Sequence, residues 1–272
     1  MSVKFILLGS GAVRPNPRRQ GPSQVLLVGD DALMFDCGPG ATRQLVKAGV
    51  PAERLDKLFL THLHFDHTLD FPYLLLVGWN NGRDRKLRVF GPYGTRTLVE
   101  RAVRPPFEFD ISTRLGHGKD PFGLDPEVTD VMSEGTVLDE NGVRVSCIYT
   151  QHAGMPTFVY GVEAEGKKVV ITGDTNPSEK LTQFCRGADL LVCECSGTRE
   201  FLSQYPWGKW HMTPETVSEL ARGAGVGRLV LKHFVIEDIT GDTEAAERMS
   251  AEVRNACSCE VAAGCDGLEV EL

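Results

Sequence analysis

Thr61-His62-Leu63-His64-Phe65-Asp66-His67 follows directly on the apolar run Leu58-Phe59-Leu60 and places four possible metal ligands within six residues. The chain has seven histidines in 272 residues, so three inside six positions are not an effect of composition. The apolar run reads as a strand and the segment from Thr68 as a helix, which sets the motif on the turn between them. Such a turn aims His62 and His64 one way and Asp66 and His67 toward a neighbouring point. Imidazole nitrogens together with carboxylate oxygens suit zinc, and also manganese or iron.

Four ligands do not fill two metal sites, so partners are expected downstream, and three candidates are present. His152 follows the apolar stretch Val143-Thr150, Asp174 lies in the turn Thr172-Gly173-Asp174-Thr175, and His233 follows Arg228-Lys232. All three stand just past the C-terminal end of an expected strand, where α/β proteins gather their ligands. Each alone has an ordinary structural explanation, but jointly they point to a metal centre. Two divalent ions ~3.5–4 Å apart can share a hydroxide nucleophile and clamp the attacked oxygen. Asp66 can also accept a proton from that water through its second oxygen.

Working outward, short runs rich in Val, Ile, Leu and Phe predict strands over 3–8, 24–28, 32–36, 57–61, 87–90, 143–150, 158–162, 168–172, 189–194, 228–232 and 268–272. Helical spacing predicts helices over 40–48, 68–80, 94–103, 178–185, 214–224 and 243–254. Strands crowd the beginning and alternate with helices later, so a single domain over 1–272, a mixed α/β sandwich, fits better than one doubly wound sheet. The Pro-, Gly- and Asp-rich segment Pro105-Asp130 reads as a long loop and a lid. His117 within it reads as a solvated residue.

Composition narrows the function. With 29 basic and 37 acidic residues the net charge is −8, which argues against a sequence-independent grip on nucleic acid. No run approaches the ~18 apolar residues of a membrane span, and the apolar start is too short for a signal peptide, so the cytosol is the expected compartment. Eight cysteines without C-x-x-C spacing read as free, mostly buried thiols, Cys193, Cys195, Cys257 and Cys259 among them. Tyr205, Trp207 and Trp210 either wall a substrate pocket or pack in the core. Arg14, Arg18 and Arg19 either receive an anion at the mouth or are solvated.

His62-x-His64-x-Asp66-His67 followed by His152, Asp174 and His233 resembles the metallo-β-lactamase superfamily of metal-dependent hydrolases. Leu8-Gly9-Ser10-Gly11, Pro15, Pro17, Arg18, Pro22-Ser23 and Phe35-Asp36-Cys37-Gly38 are similar to its ribonuclease Z and arylsulfatase-like branch. The resemblance implies an αββα sandwich of two mixed β-sheets flanked by helices, with two metals between the sheets. It implies His62, His64 and His152 on the first metal, Asp66, His67 and His233 on the second, and Asp174 between them. Asp36 would brace the histidine turn, unless it is only a strand-ending turn residue.

His211 has no ligand role left. It lies in Trp210-His211-Met212-Thr213-Pro214, where Thr213 reads as an N-cap and Pro214 as the first helical residue. A matching His-x-Thr segment in ribonuclease Z relatives assists at the leaving group, and His211 is expected to do the same or else to help cap the helix. Transfer-RNA processing members of the branch also carry a long arm between the third and fourth metal motifs and a Ser-x-Arg-Tyr run after the last ligand. Here 21 residues separate His152 from Asp174, and His233 is followed by Phe234-Val235-Ile236-Glu237-Asp238. The expected function is therefore a dinuclear hydrolase of a small-molecule ester, sulfate ester, phosphodiester, cyclic amide or lactone. RNA cleavage is the alternative, and nucleic acid and membrane are not expected partners; a homodimer is left open. A binding protein that kept the fold and lost turnover would ordinarily lack a ligand, and none of the seven is missing.

Overall fold

Side chains that alternate along each strand sort into two faces, and this decides the layering. In β1 (Val3–Gly9) Val3, Phe5 and Leu7 face one apolar cluster while Ile6 and Leu8 face another. A computed structural model describes residues 2–237 and 240–272; Asp238, the last residue of the run noted after His233, lies outside them. The first half continues through β2 (Ser23–Val28), β3 (Asp31–Phe35), α1 (Ala41–Lys47), β4 (Lys57–Phe59), α2 (Phe65–Thr68), α3 (Phe71–Asn80), β5 (Arg88–Pro92), α4 (Thr95–Gly116) and β6 (Glu127–Val131). The second half runs β7 (Gly135–Glu140), β8 (Val143–His152), β9 (Met155–Ala164), β10 (Lys167–Thr172), α5 (Glu179–Cys185), β11 (Leu190–Glu194) and α6 (Arg199–Leu202). It closes with α7 (Pro214–Ala224), β12 (Arg228–Lys232), α8 (Asp242–Ala256), β13 (Glu260–Ala263) and β14 (Leu268–Glu271).

The described residues form two seven-stranded sheets, β14-β1-β2-β3-β4-β5-β6 and β13-β12-β11-β10-β9-β8-β7. In the first, β3 through β6 are parallel and the strands on the other side antiparallel; in the second, β10 through β13 are parallel and β7 through β10 antiparallel. One apolar layer lies between the sheets, with Phe35 stacked on Phe59 at 5.1 Å and Phe59 on Phe90 at 4.9 Å. A second layer joins the first sheet to α1, α3 and α4, and a third joins the second sheet to α5, α7 and α8. The αββα sandwich is the arrangement expected from the resemblance. No helix is long and apolar enough to cross a membrane among the described residues.

The sheets are pinned together beneath the histidine turn. The Phe158 N–H donates to the Thr61 carbonyl at 2.8 Å, and the Tyr160 hydroxyl donates to the Leu60 carbonyl at 2.9 Å. Gly173 makes this approach possible, because a Cβ there would sit 2.7 Å from the Thr61 Cβ.

The long loop expected over 105–130 is not one. Residues 95–116 are helix, with Pro105 and Pro106 inside it, and 127–131 are strand. Val99, Val103 and Ile111 share the buried face of α4. Burial of three such side chains, each worth about 1.5–3 kcal/mol, is of the same size as the cost of about 3 kcal/mol for each interior proline. Tertiary packing therefore carries the helix through its breakers. His117 caps its exposed C-terminal end.

Candidate metal centre

The turn after β4 and the ends of β8, β10 and β12 meet at one edge of the sandwich, and all seven expected ligands arrive there. His62 Nε2, His64 Nδ1, His152 Nε2 and an Asp174 oxygen form one group; Asp66, His67 and His233 form a second. In the first group His64 Nδ1 is 3.0 Å from His62 Nε2 and 3.3 Å from His152 Nε2, and Asp174 Oδ2 is 3.9 and 3.7 Å from those two nitrogens. In the second, Asp174 Oδ1 is 3.4 Å from His67 Nε2 and 3.2 Å from His233 Nε2, and Asp66 Oδ2 is 3.7 and 3.5 Å from the same atoms. Asp174 thus faces both groups, one oxygen to each.

Hydrogen bonds fix which nitrogen each ring presents. Asp36 accepts from His67 Nδ1 at 2.9 Å and from the Thr61 N–H and hydroxyl. With its proton committed to Asp36, the Thr61 oxygen is left to accept from His62 Nδ1 at 3.0 Å. His152 Nδ1 donates to the Trp210 carbonyl, and His233 Nδ1 to Ser196 Oγ at 3.0 Å. Four Nε2 lone pairs are thereby aimed inward, the arrangement that outer partners impose on metal-binding histidines. Asp36 and His233 both adopt positive φ, +57° and +62°, a strained backbone held by the surroundings. Gly38 lets the turn close, since a Cβ there would meet the Asp66 carbonyl at 2.2 Å.

The donor set fits metal ions on its own terms. His67 Nε2, Asp174 Oδ1 and His233 Nε2 are buried and without a hydrogen-bond partner, although they lie within 3.5 Å of one another in the pairs given above. Unpaired buried acceptors are costly, and a shared divalent cation satisfies all three. Electrostatics agree. Burial pulls the His67 imidazole down, but Asp36 and Asp174 outweigh it and lift it to about 10. Burial opposes ionisation of Asp174, yet His233 and His67 hold it well below the usual carboxylate range. A field that holds a proton this firmly holds a cation, which displaces the proton on binding.

Sequence reading missed Glu194 and Ser196. Glu194, at the end of the fully buried β11, accepts from the Thr175 N–H, from the Ser196 hydroxyl and from His211 Nδ1 at 3.0 Å. Ser196 in turn carries His233. The available signal was a carboxylate closing an otherwise apolar strand. His211 sits two residues before Thr213, which caps α7 through a capping box with Pro214 first in the helix, as the sequence indicated. Burial lowers the His211 imidazole, but Glu194 outweighs it and raises it to about 9.

Above the cluster is a cavity of about 350 Å³ with Trp207 and Trp210 in its wall; Tyr205 stands behind, stacked on Trp207 at 4.9 Å. No residue of 105–130 lines it. Arg19 is neither at the mouth nor solvated: it is buried, 2.8 Å from Asp242. Arg14 pairs with Glu237, and Arg18 reaches Thr243. All eight cysteines are free; five are buried, Cys193 and Cys195 among them, whereas Cys257 and Cys259 are only half-buried, at the end of α8 and just before the edge strand β13.

This fold and this cluster define a metal-dependent hydrolase of the metallo-β-lactamase type. The family described as beta-lactamase superfamily domain matches residues 32–234, and the chain belongs to that superfamily. Its branch is that of ribonuclease Z. Ribonuclease Z from Mycobacterium bovis BCG Pasteur is 33% identical over 243 residues, covering 86% of each chain. Ribonuclease Z from Mycobacterium marinum is 32% identical over 259 residues, covering 92% of each. Among solved structures, the metallo-β-lactamase fold protein YhfI from Bacillus subtilis shares the fold at TM-score 0.80, with 20% identity and full coverage of both chains. The short form of human tRNase Z shares it at 0.73, with 23% identity and 98% coverage of both.

These relatives correct the expected partner. A small-molecule substrate, with RNA only as the alternative, does not stand beside ribonuclease Z relatives that span most of the chain. The small-molecule expectation rests on the short spacing from His152 to Asp174, the run after His233 and the net charge, and the charge is the weakest of the three. A charge of −8 is a property of the whole surface, whereas a phosphodiester is met by local charge at the metal cluster.

Proposed function

We propose that the chain is a dinuclear-metal phosphodiesterase that cleaves RNA in the manner of a ribonuclease Z. The observation that carries the metal chemistry is the convergence of His67 Nε2, Asp174 Oδ1 and His233 Nε2, buried and unpartnered, on one point. The choice of RNA rests on the ribonuclease Z relatives.

In this reading His62, His64 and His152 would hold one divalent ion and Asp66, His67 and His233 the other, with an oxygen of Asp174 available to each. When bound, such a pair supplies water acidified toward a pKa of ~7 and positive charge for the phosphoryl oxygens. The protein's own residues do the rest. Asp66 takes the proton of the attacking water. His211 has Nδ1 committed to Glu194 and Ser196, which leaves Nε2 to face the cavity and protonate the departing oxygen. With its pKa near 9 the imidazole is charged at neutral pH, as a general acid must be.

The test is incubation of the metal-loaded chain with a transfer-RNA precursor bearing a 3′ trailer and with an unstructured RNA. Cleavage at a defined linkage, abolished by chelator and restored by zinc or manganese, is the expected result. Failure to cut either RNA while the metals are bound sinks the proposal.

A further inference from the structure

The cavity above the cluster is unlike its floor. Beneath lie the imidazoles and carboxylates; around them stand Val13, Phe65, Ala153, Trp207, Trp210 and Val235. Its volume of about 350 Å³ is near the small end of ligand sites, ~300–1,000 Å³. That is room for one planar group beside a phosphate and too little for a duplex. At the rim Phe65 and Val13 are 58% and 47% exposed, so the apolar wall opens outward.

Trp207 is held in advance. Its indole stacks on Tyr205 at an interplanar angle of 20°, and the Tyr205 hydroxyl donates to Glu237 at 2.7 Å, which also accepts from Arg14 at 3.0 Å. It meets the His211 ring edge-on at 5.6 Å. The Trp210 carbonyl anchors His152, so the same short segment sets both the wall and one histidine of the cluster. A fixed aromatic face loses little freedom when a flat partner lies against it. Between His152 and Asp174 there is no arm with which to grip RNA at a distance: β8, β9 and β10 follow one another through two-residue turns at 153–154 and 165–166.

Resting on the phosphodiesterase reading, we infer that Trp207, in the wall it shares with Trp210, stacks one unpaired nucleobase on the leaving-group side of the scissile bond. The side follows from the contact of Trp207 with His211, which serves the departing oxygen. A paired base has both faces covered by its neighbours, so the wall selects a nucleotide outside a helix. Every base has a π-face, so it does so with little preference among the four.

The experiment uses the metal-loaded protein and a short RNA whose scissile linkage is a non-hydrolysable methylene phosphonate. Binding is read by fluorescence anisotropy with the leaving-side nucleotide intact or abasic. Removing the base is expected to raise Kd about tenfold, the usual scale of base-aromatic stacking. Trp207→Ala should cause the same rise with the intact RNA and no further rise with the abasic one, and Trp207→Phe should restore most of the affinity. Metal content checks that the variants keep the site. Equal Kd for intact and abasic RNA overturns the inference, as does a Trp207→Ala protein that still senses the base, or a base effect confined to the other side of the bond. A cleavable version is assayed in parallel: base-dependent binding without cleavage sinks the phosphodiesterase reading alone, and cleavage with base-indifferent binding sinks the stacking wall alone.

Discussion

The first sheet presents His62, His64, Asp66 and His67 from one turn after β4, whereas the second presents His152, Asp174 and His233 from three separate strand ends. The turn is braced from below by one buried carboxylate, Asp36, which holds His67 directly and His62 through Thr61. The strand ends are held by their own ladders, and Glu194 touches them at the Thr175 N–H and through Ser196, on its way to His211. One side concentrates its ligands and depends on a brace; the other spreads them and depends on the sheet.

Asp174 is where the two sides join, and its loss should have the largest effect. Asp174→Ala should abolish phosphodiester cleavage and drop metal content below two equivalents, while circular dichroism stays native because the apolar layers lie elsewhere. Two retained equivalents would show that the halves hold their metals independently.

Next comes His211→Ala, which should lower kcat by about 10²–10⁴ with both metals kept. The loss should shrink for substrates with good leaving groups; parallel wild-type and mutant lines across a leaving-group series would remove the general-acid role. The pH arm follows from the sign of the shift. The pKa is raised from 6.5 to about 9, so wild-type kcat should hold through neutrality and fall as pH rises through about 9. Glu194→Gln should move that fall to lower pH, and an unmoved limb would assign it to another group.

The smallest effects should distinguish the two carboxylate braces. Asp36→Asn and Glu194→Gln should each cost about 10–100-fold, the worth of an outer partner at a metal site. Asp36→Asn should show it as weakened metal affinity in a chelator titration, and Glu194→Gln chiefly in kcat. The same signature from both would erase the contrast between turn and strand ends.

The same contrast governs what the sequence reveals. A turn that gathers four donors in six residues is local, so its chemistry is legible on sight. His152, Asp174 and His233 become legible only as a set, each past an apolar run. Glu194 is not legible because its partners, Thr175, Ser196 and His211, are brought to it by folding. β6, β7 and β13 are not legible as strands because, at the sheet edges, they carry polar, half-exposed patterns, as in Glu127–Val131. Helix α4 runs past the break that Pro105 predicts, because propensity is local whereas burial of Ile111 is not.

The pairing of β14 with β1 has a consequence in time. During synthesis β1, β2 and β3 emerge early, but the partner of β1 is the segment Leu268–Glu271, made after the whole second sheet. Until then the opening strand has a free edge, and unpaired edges recruit other chains. The addition of β14 therefore exchanges one edge for another: the long apolar flank of β1 is covered by a four-residue strand that carries Glu269 and Glu271 on its exposed side, and a short charged edge is a poor template for another chain.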